Sequence, residues 1–203
     1  MIRQGFRGLG LAAAAAIALQ LTGCAMPMGA PQASIDNTAK LRAAGTARAS
    51  LGSFTLAPGQ AADMDKGVSL RGSQVQSPYN GSFAQYLKET LRVELDAAGL
   101  LDPASQTVIS GTLTESDADA AIGQGTAKLG ARFVVTQGQT VKYDRTLRTD
   151  ASWESSFVGA VAIPLAAGQY QGLYRKLAGQ LFDDPAFLQA LASPAPAAAA
   201  AGQ

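Results

Sequence analysis

The sequence predicts an α+β domain in which a mainly antiparallel sheet of about four strands carries two helices on one face. Apolar residues recur at every fourth position over 82–98, and a second helical pattern lies near the C-terminus. Between them, two segments of alternating polarity flank a glycine-containing turn, which is the signal of a β-hairpin. The predicted order is strand, helix, strand, hairpin and helix.

The composition limits the chemistry that this chain supports. Its 203 residues suit one domain with a core of its own, and 47% of them are hydrophobic. The formal charge of +1 argues against a nucleic-acid partner. Histidine is absent and cysteine occurs once, which excludes histidine-dependent triads, the common zinc sites and an intrachain disulfide. We therefore expect a protein that is not an enzyme and uses no cofactor or metal.

The N-terminal segment 1–23 is typical of a signal peptide. Arg3 and Arg7 precede an apolar run from Leu9 to Leu19, which is too short to span a bilayer. The next residues, Leu21-Thr22-Gly23-Cys24, resemble the lipobox of bacterial lipoproteins. This resemblance implies a diacylglyceryl group on the Cys24 thiol, cleavage before Cys24 and acylation of its new amino group.

The residues after the lipobox resemble those that direct a lipoprotein to the outer membrane. Ala25 and Met26 follow Cys24, where an aspartate would imply retention in the inner membrane. The alternative is an ordinary secretory signal, which would leave the Cys24 thiol unpaired in an exported chain. We expect a lipid-anchored protein of the outer membrane that faces the periplasm.

Composition divides the mature chain into three parts. Residues 24–34 contain scattered proline and glycine and are expected to form an acylated tether. Residues 35–192 are predicted to fold as a single periplasmic domain. Residues 193–203 are rich in alanine and proline and are predicted to be disordered.

The first half of the domain combines a strand with a well-marked helix. A strand is predicted over 46–57 with an irregularity at Gly52, followed by a loop over 58–81 that hides a short strand near Val68–Val75. Ser82 and Gly99 suit the two ends of a helix over 82–98. Its apolar stripe consists of Phe83, Leu87, Leu91 and Leu95, and its predicted solvated face consists of Lys88, Glu89, Arg92 and Glu94.

The second half is predicted to consist of three strands and a closing helical region. The strands are expected over 107–115, 126–136 and 140–153, with a turn over 137–139. Pro164 suits the first turn of a helix that continues to Leu181. Asp184 and Pro185 would then start a short helix as N-cap and first residue.

Two acidic motifs have both a chemical and a structural interpretation. The stretch from Glu115 to Asp119 could form a weak calcium loop, although a polar loop between strands explains it better. Asp183 and Asp184 could act as paired catalytic carboxylates. Helix capping is the favoured explanation for them, since an anionic side chain is stabilised at a helix N-terminus.

The hairpin carries several cations that form a candidate anion-binding surface. Lys128 and Arg132 share one strand face, and Lys142 and Arg148 share a face of the partner strand. Arg145 has the opposite parity, beside Tyr143. The favoured interpretation of these charges is a solvated sheet face, and the functional alternative is binding of anionic lipid headgroups, lipopolysaccharide or peptidoglycan.

An aliphatic segment joins the last strand to the last helix. Trp153 and Phe157 precede the run from Val158 to Pro164. We expect this run to be core, because an exposed apolar segment is an aggregation liability. The alternative is an exposed docking loop.

The lipobox and the order of elements together resemble small envelope lipoproteins, in the group that includes the lipopolysaccharide-assembly lipoprotein and the YajG-type lipoproteins. This resemblance carries over no ligand site. It implies a non-catalytic periplasmic binding or assembly module whose partners are the membrane, through Cys24, and another envelope protein. The alternatives are a binder of anionic glycolipid or peptidoglycan and a serine hydrolase that works without histidine.

Overall fold

A computed structural model describes residues 25–192, in which four helices pack with two β-sheets. The strands are β1 (Ala25–Pro27), β2 (Ser50–Leu56), β3 (Val68–Leu70), β4 (Ser73–Gln76), β5 (Thr107–Asp119), β6 (Gly123–Gln137) and β7 (Thr140–Ser155). The helices are α1 (Ile35–Ala44), α2 (Phe83–Ala98), α3 (Gly159–Asp183) and α4 (Pro185–Leu191). The α+β class is confirmed, but the prediction of two helices on one mainly antiparallel sheet is wrong in detail.

The larger sheet is mixed and has the strand order β2-β5-β6-β7. The strands β5, β6 and β7 form an antiparallel meander, whereas β2 pairs with β5 in parallel. Parallel neighbours need a crossover connection, and α2 lies between β2 and β5 in the chain. The irregularity expected at Gly52 coincides with a register shift between Leu51 and Phe54.

The smaller sheet contains part of the chain that was expected to be a tether. Its order is β1-β4-β3, with β1 parallel to β4 and β3 antiparallel to β4. Met28 is buried, and the Tyr86 hydroxyl donates to the Gly29 carbonyl at 2.8 Å. The expectation of a free tether over 24–34 therefore differs from the structure, because residues 25–29 pack onto the domain.

The ends of α2 agree with the sequence, whereas α1 was not predicted. The Ser82 hydroxyl accepts from the backbone N–H of Gln85 at 3.2 Å, and Gly99 ends the helix in the left-handed region at φ 76°. Helix α1 buries only Asn37 and Leu41, so it has no apolar stripe that a periodicity search would find.

Helix α3 starts earlier than predicted, and α4 starts where expected. The first residue of α3 is Gly159, so Pro164 lies inside the helix and not in its first turn. Its ring nitrogen cannot donate to the carbonyl of Ala160, which costs one intrahelical hydrogen bond. At the start of α4, an Asp184 carboxylate oxygen accepts from the N–H of Ala186 at 2.9 Å.

The core lies between the larger sheet and the helices, and aromatic side chains fill its centre. Phe83 and Tyr86 of α2 make edge-to-face contacts with Tyr170 and Tyr174 of α3. The Tyr170 hydroxyl bonds to the hydroxyls of Ser116 at 2.6 Å and of Tyr174 at 2.8 Å. Burial raises the pKa of both Tyr170 and Tyr174 above its ordinary value, so these hydroxyls stay protonated and hold α3 on the sheet.

Candidate functional surface

Exposed apolar side chains are concentrated at one end of α3. Seven large apolar side chains are exposed within the described residues, and five of them lie around the β7–α3 junction and the β5–β6 turn. We call these five the α3 apolar surface, and their exposed fractions are 73% for Ile122, 79% for Phe157, 41% for Val158, 54% for Val161 and 40% for Leu165. Contiguous exposed apolar groups mark a site of interaction with a protein or a membrane.

Helical spacing places most of this surface on one side of α3. Val158, Val161 and Leu165 are separated by three and four positions, so they follow one face of the helix. Ala162 and Ala166 lie on the other side and are fully buried. The expectation that this aliphatic segment is core is therefore wrong for Val158 and Val161, which are exposed, whereas Ala162 is buried and Ile163 packs against the core.

The β5–β6 turn brings Ile122 to the same place. Gly123 pairs with Ser155 at the last position of the β6–β7 ladder. Ile122 comes just before Gly123, and Phe157 comes two residues after Ser155, so the two side chains emerge from the same end of the sheet. The turn and the helix start thus form one surface.

Arg71 holds the backbone beneath this surface. It lies in the β3–β4 turn with φ 50°, next to Gly72 at φ 84°. Its guanidinium donates to the carbonyls of Ala120 at 2.6 Å, Ser156 at 2.7 Å and Phe157 at 3.1 Å. Because guanidinium presents several donors in a rigid plane, one side chain fixes both connections. Arg71 falls within the short strand predicted near Val68–Val75, which the structure divides into β3 and β4 by this turn.

The first described residue lies at this same end of the domain. Ala25 pairs with Gln74 near the start of β4, which follows directly from the Arg71–Gly72 turn. Gln74 and Arg71 are three residues apart, roughly 10 Å along an extended chain, and the Arg71 guanidinium donates to the Phe157 carbonyl, so Ala25 and Phe157 lie at the same end. Cys24 lies outside the described residues, and its bond to Ala25 limits its distance from that end.

The hairpin cations are matched by carboxylates on the outer face of the larger sheet. The guanidinium of Arg132 makes two hydrogen bonds to Asp144, one of them 2.6 Å from Nε to Oδ1, and this bonding lowers the pKa of Asp144. Lys128 lies opposite Asp117 on one side and Asp150 on the other. Both aspartates are therefore cross-strand neighbours of Lys128.

The two remaining cations are separate from each other. Arg148 lies 3.6 Å from the carboxylate of Glu115. Lys142 falls at the register shift near the β6–β7 turn, far from Lys128 along the hairpin. Lys142 and Arg148 are both exposed and have the same parity in β7, but they are six residues apart, roughly 20 Å along the strand, so their charges are not neighbours. The structure thus brings Lys128, Arg132 and Arg148 to one face, together with a comparable number of carboxylates.

The acidic stretch from Glu115 to Asp119 belongs to β5 and not to a loop. Its residues alternate, with Ser116 and Ala118 towards the helices and Glu115 and Asp117 towards the outer face. Within residues 25–192, His, Cys, Asp and Glu side chains form no group of three that could hold a metal ion. The strand geometry separates the carboxylates that a calcium loop would gather.

Asp183 and Asp184 have different partners. The Asp183 carboxylate accepts from Lys40 Nζ at 2.7 Å on the surface. Asp184 accepts from the Tyr143 hydroxyl at 2.9 Å and from Arg145 Nη1 at 3.1 Å, in addition to capping α4. Desolvation acts to raise the pKa of Asp184, but these hydrogen bonds outweigh it and hold the pKa below its ordinary value.

Arg145 points towards the helical layer, as its parity with Tyr143 indicates. It lies opposite Phe133 in the ladder and passes over the Tyr143 ring, with its guanidinium carbon 5.8 Å from the ring centroid. It reaches Asp184 at the edge of the core, so the charge remains partly in solvent. This contact with Asp184 explains why a charged side chain occupies a β7 position that faces the helices.

Glu94 was expected on a solvated face of α2, and this expectation is wrong. The side chain is fully buried and accepts from the Ser34 N–H at 3.0 Å and from Asn37 Nδ2 at 2.9 Å. Burial raises the pKa of Glu94 although both hydrogen bonds oppose the change. Glu94 joins α2 to the start of α1, which the periodicity of α2 alone does not indicate.

Comparison with known proteins supports the fold. No family model matches this sequence, and no curated protein matches it. A solved structure that is similar is protein XCC0632 from Xanthomonas campestris, described as DUF330, with TM-score 0.51, 12% identity and coverage of 78% of this chain and 94% of that chain. A second is a minor lipoprotein from Acinetobacter baumannii, with TM-score 0.40, 15% identity and coverage of 73% and 96% respectively.

Among residues 25–192, no helix combines the length and the apolar character needed to cross a bilayer.

Proposed function

We propose that this chain is a lipid-anchored envelope lipoprotein that acts as a non-catalytic binding or assembly module for a protein complex in the periplasm. The resemblance of residues 21–24 to a lipobox supports attachment through Cys24. The residues Ala25 and Met26 support sorting to the outer membrane. Burial of acyl methylenes contributes about 0.8 kcal/mol each, and two or more chains make the attachment stable.

The free edge of β7 is the observation that carries the binding role. This strand has 16 residues and ends the larger sheet, where it pairs with β6 on one side only within the described chain. An unpaired strand edge presents a row of N–H and C=O groups to which another chain adds a strand. A strand of this length offers a partner many backbone hydrogen bonds.

The direction of one backbone group shows which residues of β7 face outwards. The carbonyl of Asp150 accepts from Lys176 Nζ at 2.7 Å and therefore points away from β6. In an antiparallel ladder, alternate residues direct their N–H and C=O groups to the same side. The N–H groups of Arg148 and Ser152 consequently face this edge, on either side of the Asp150 carbonyl that Lys176 already occupies.

Charged side chains make this edge selective. Asp144, Arg148, Asp150 and Glu154 are all exposed along β7. Such charges oppose indiscriminate pairing with other exposed strands, so a partner strand has to offer complementary charges. A stoichiometric envelope protein partner meets this requirement.

The experiment is crosslinking and pull-down from intact envelopes, with wild type compared with Cys24→Ser. Recovery of a discrete protein only with the anchored form is the expected result. Membrane attachment that survives Cys24→Ser contradicts the anchor. Recovery of glycolipid or peptidoglycan in a salt-sensitive way, without a protein, contradicts the assembly role.

A pair of variants tests the β7 edge itself. Ser152→Pro removes an outward N–H at a position where an edge strand tolerates proline, and it should abolish recovery of the partner. Ser152→Ala loses the hydroxyl but keeps the N–H, so it should retain the partner. Equal recovery by both variants, with circular dichroism unchanged, contradicts binding at this edge.

A further inference from the structure

We propose that the α3 apolar surface inserts into the bilayer that holds the Cys24 lipids, so that the domain lies against the membrane in one orientation. This inference rests on the proposed acylation of Cys24. It concerns a different surface from the β7 edge and assigns a ligand, a lipid bilayer, to the residues Ile122, Phe157, Val158, Val161 and Leu165.

The first step is that the chain enters the folded domain at Ala25, directly after the anchor residue. Ala25 is bonded to Cys24 and already belongs to β1, where it pairs with Gln74. The burial of Met28 and the hydrogen bond from Tyr86 to Gly29 fix the residues that follow. Lipids on Cys24 would therefore hold the Ala25 end of the domain at the bilayer surface.

The second step is that the apolar surface lies at this end. Arg71 connects the two, because its turn adjoins β4 beside Ala25 while its guanidinium binds the carbonyls of Ser156 and Phe157. Ala25 and Phe157 are thus connected by one strand pairing, the three residues from Gln74 to Arg71 and the Arg71 side chain. Anchoring at Cys24 brings this surface to the lipid.

The third step is the chemistry of the surface. The segment from Ser155 to Tyr174 contains no charged residue, and its exposed side chains are aliphatic or aromatic. Interfacial helices bury this kind of face at the boundary between headgroups and acyl chains. Without cations in the segment, the attraction comes from apolar burial and not from anionic lipid, so it should persist at high salt.

A bilayer is a better partner for the α3 apolar surface than a free protein, because the lipid anchor keeps the bilayer nearby. An attached lipid makes contact between the surface and the membrane intramolecular, which raises the effective concentration of the membrane far above that of any free partner. A second copy or another protein would have to displace this contact. Both remain distinguishable outcomes of the test.

The test uses the full chain, matured and acylated in its host and reconstituted into phosphatidylcholine vesicles. Acylation blocks the only native cysteine, so Val161→Cys introduces one free thiol for an environment-sensitive fluorophore. Val141→Cys is the matched control, since Val141 is also exposed, at 56%, but lies roughly 45 Å away along β7. Vesicles with and without brominated acyl chains report contact with lipid by quenching.

We expect emission from the Val161→Cys label to shift to shorter wavelength and to be quenched by brominated lipid, in low and high salt alike. The Val141→Cys label should show neither change. A Val161→Cys label that stays in water overturns the proposal, and a shifted label that lipid does not quench assigns the surface to a protein or a second copy instead. Two labelled thiols per chain, with no attachment to vesicles, would show that the proposed acylation itself fails.

Discussion

Replacement of Asp184 by alanine should destabilise the protein because one carboxylate supports three separate contacts. It caps α4 through the N–H of Ala186, accepts from the hydroxyl of Tyr143, and pairs with Arg145. Asp184→Ala removes all three at once. Tyr143 is only 4% exposed, so its hydroxyl cannot turn to bulk water for a new partner.

The expected loss follows from the burial of each partner. Loss of the N-cap costs about 1 kcal/mol. Leaving the buried Tyr143 hydroxyl without an acceptor costs about 1–3 kcal/mol. The Arg145 side chain is 57% exposed, so its ion pair contributes little. A total of about 2–4 kcal/mol lowers the melting temperature of a domain of this size by roughly 5–12 °C.

The assay is urea denaturation with Asp183→Ala as the matched control. Asp183 pairs with Lys40 at the surface, with side chains 58% and 41% exposed, and its loss should cost less than about 1 kcal/mol. Asp184→Asn keeps the cap and an acceptor for Tyr143, so it should fall between wild type and Asp184→Ala. Equal effects of Asp183→Ala and Asp184→Ala would refute the assignment of distinct roles.

The pH dependence gives a second test of Asp184. Its folded pKa is lowered, so the ionised carboxylate stabilises the fold fully above the ordinary aspartate value of about 3.9. This stability is lost as the pH falls through the folded pKa. The advantage of wild type over Asp184→Asn should therefore shrink in that acidic range, and an advantage that stays constant there would contradict it.

Substitutions at three further places should change the stability of the protein in distinguishable ways. Burial raises the pKa of Glu94, so stability should fall as the pH rises from about 4, and Glu94→Gln should remove this slope in denaturation curves measured across pH. Arg71→Lys cannot reach the carbonyls that guanidinium binds, so we expect a loss of about 1–3 kcal/mol and faster proteolysis at residues 156–158; unchanged proteolysis would argue against the role of Arg71. Gly125→Ala would place a Cβ against the Trp153 indole and should cost about 1–3 kcal/mol, whereas Gly172→Ala meets nothing within 4 Å and should stabilise α3 by about 0.5–1 kcal/mol. Equal unfolding midpoints for the two glycine variants would contradict this account.

Local patterns predicted the elements whose determinants lie within a few residues of one another. Ser82 and Gly99 mark the ends of α2 because caps act on the adjacent turn. The alternation on either side of Gly138 predicts the β6–β7 hairpin, since its register is set by a short turn. Asp184 was predicted as the cap of α4 for the same reason, and the structure confirms that contact.

Contacts between distant parts of the chain left no such local signal. Ala25 pairs with Gln74, and Glu94 accepts from Ser34 and Asn37 across 60 and 57 positions respectively. Each of these contacts depends on which elements become neighbours in three dimensions. Periodicity alone predicts that a charged residue beside an apolar stripe is in solvent. In the fold, however, α1 covers Glu94.

The candidate site shows the same division. Lys128 and Arg132 were placed on one strand face from their spacing, and the pairing agrees. The pairing of Asp117 opposite Lys128 and the hydrogen bonds of Asp144 to Arg132 depend on the register between strands. Of these two aspartates, only Asp144 lies on the hairpin partner strand. The exposure of Val161 depended on which side of α3 meets the sheet, and apolarity alone favoured the wrong answer.

By itself, the sequence determined the composition-based exclusions, the lipobox resemblance and most of the helices and strands, because these depend on residue types and short spacings. Only the tertiary structure decided that Ala25 begins a strand, that β2 joins the sheet in parallel, and that the α3 apolar surface lies at the Ala25 end. The physical reason is that pairing and packing between distant segments are chosen by the total burial they achieve together. The sequence of any one segment does not determine this total burial.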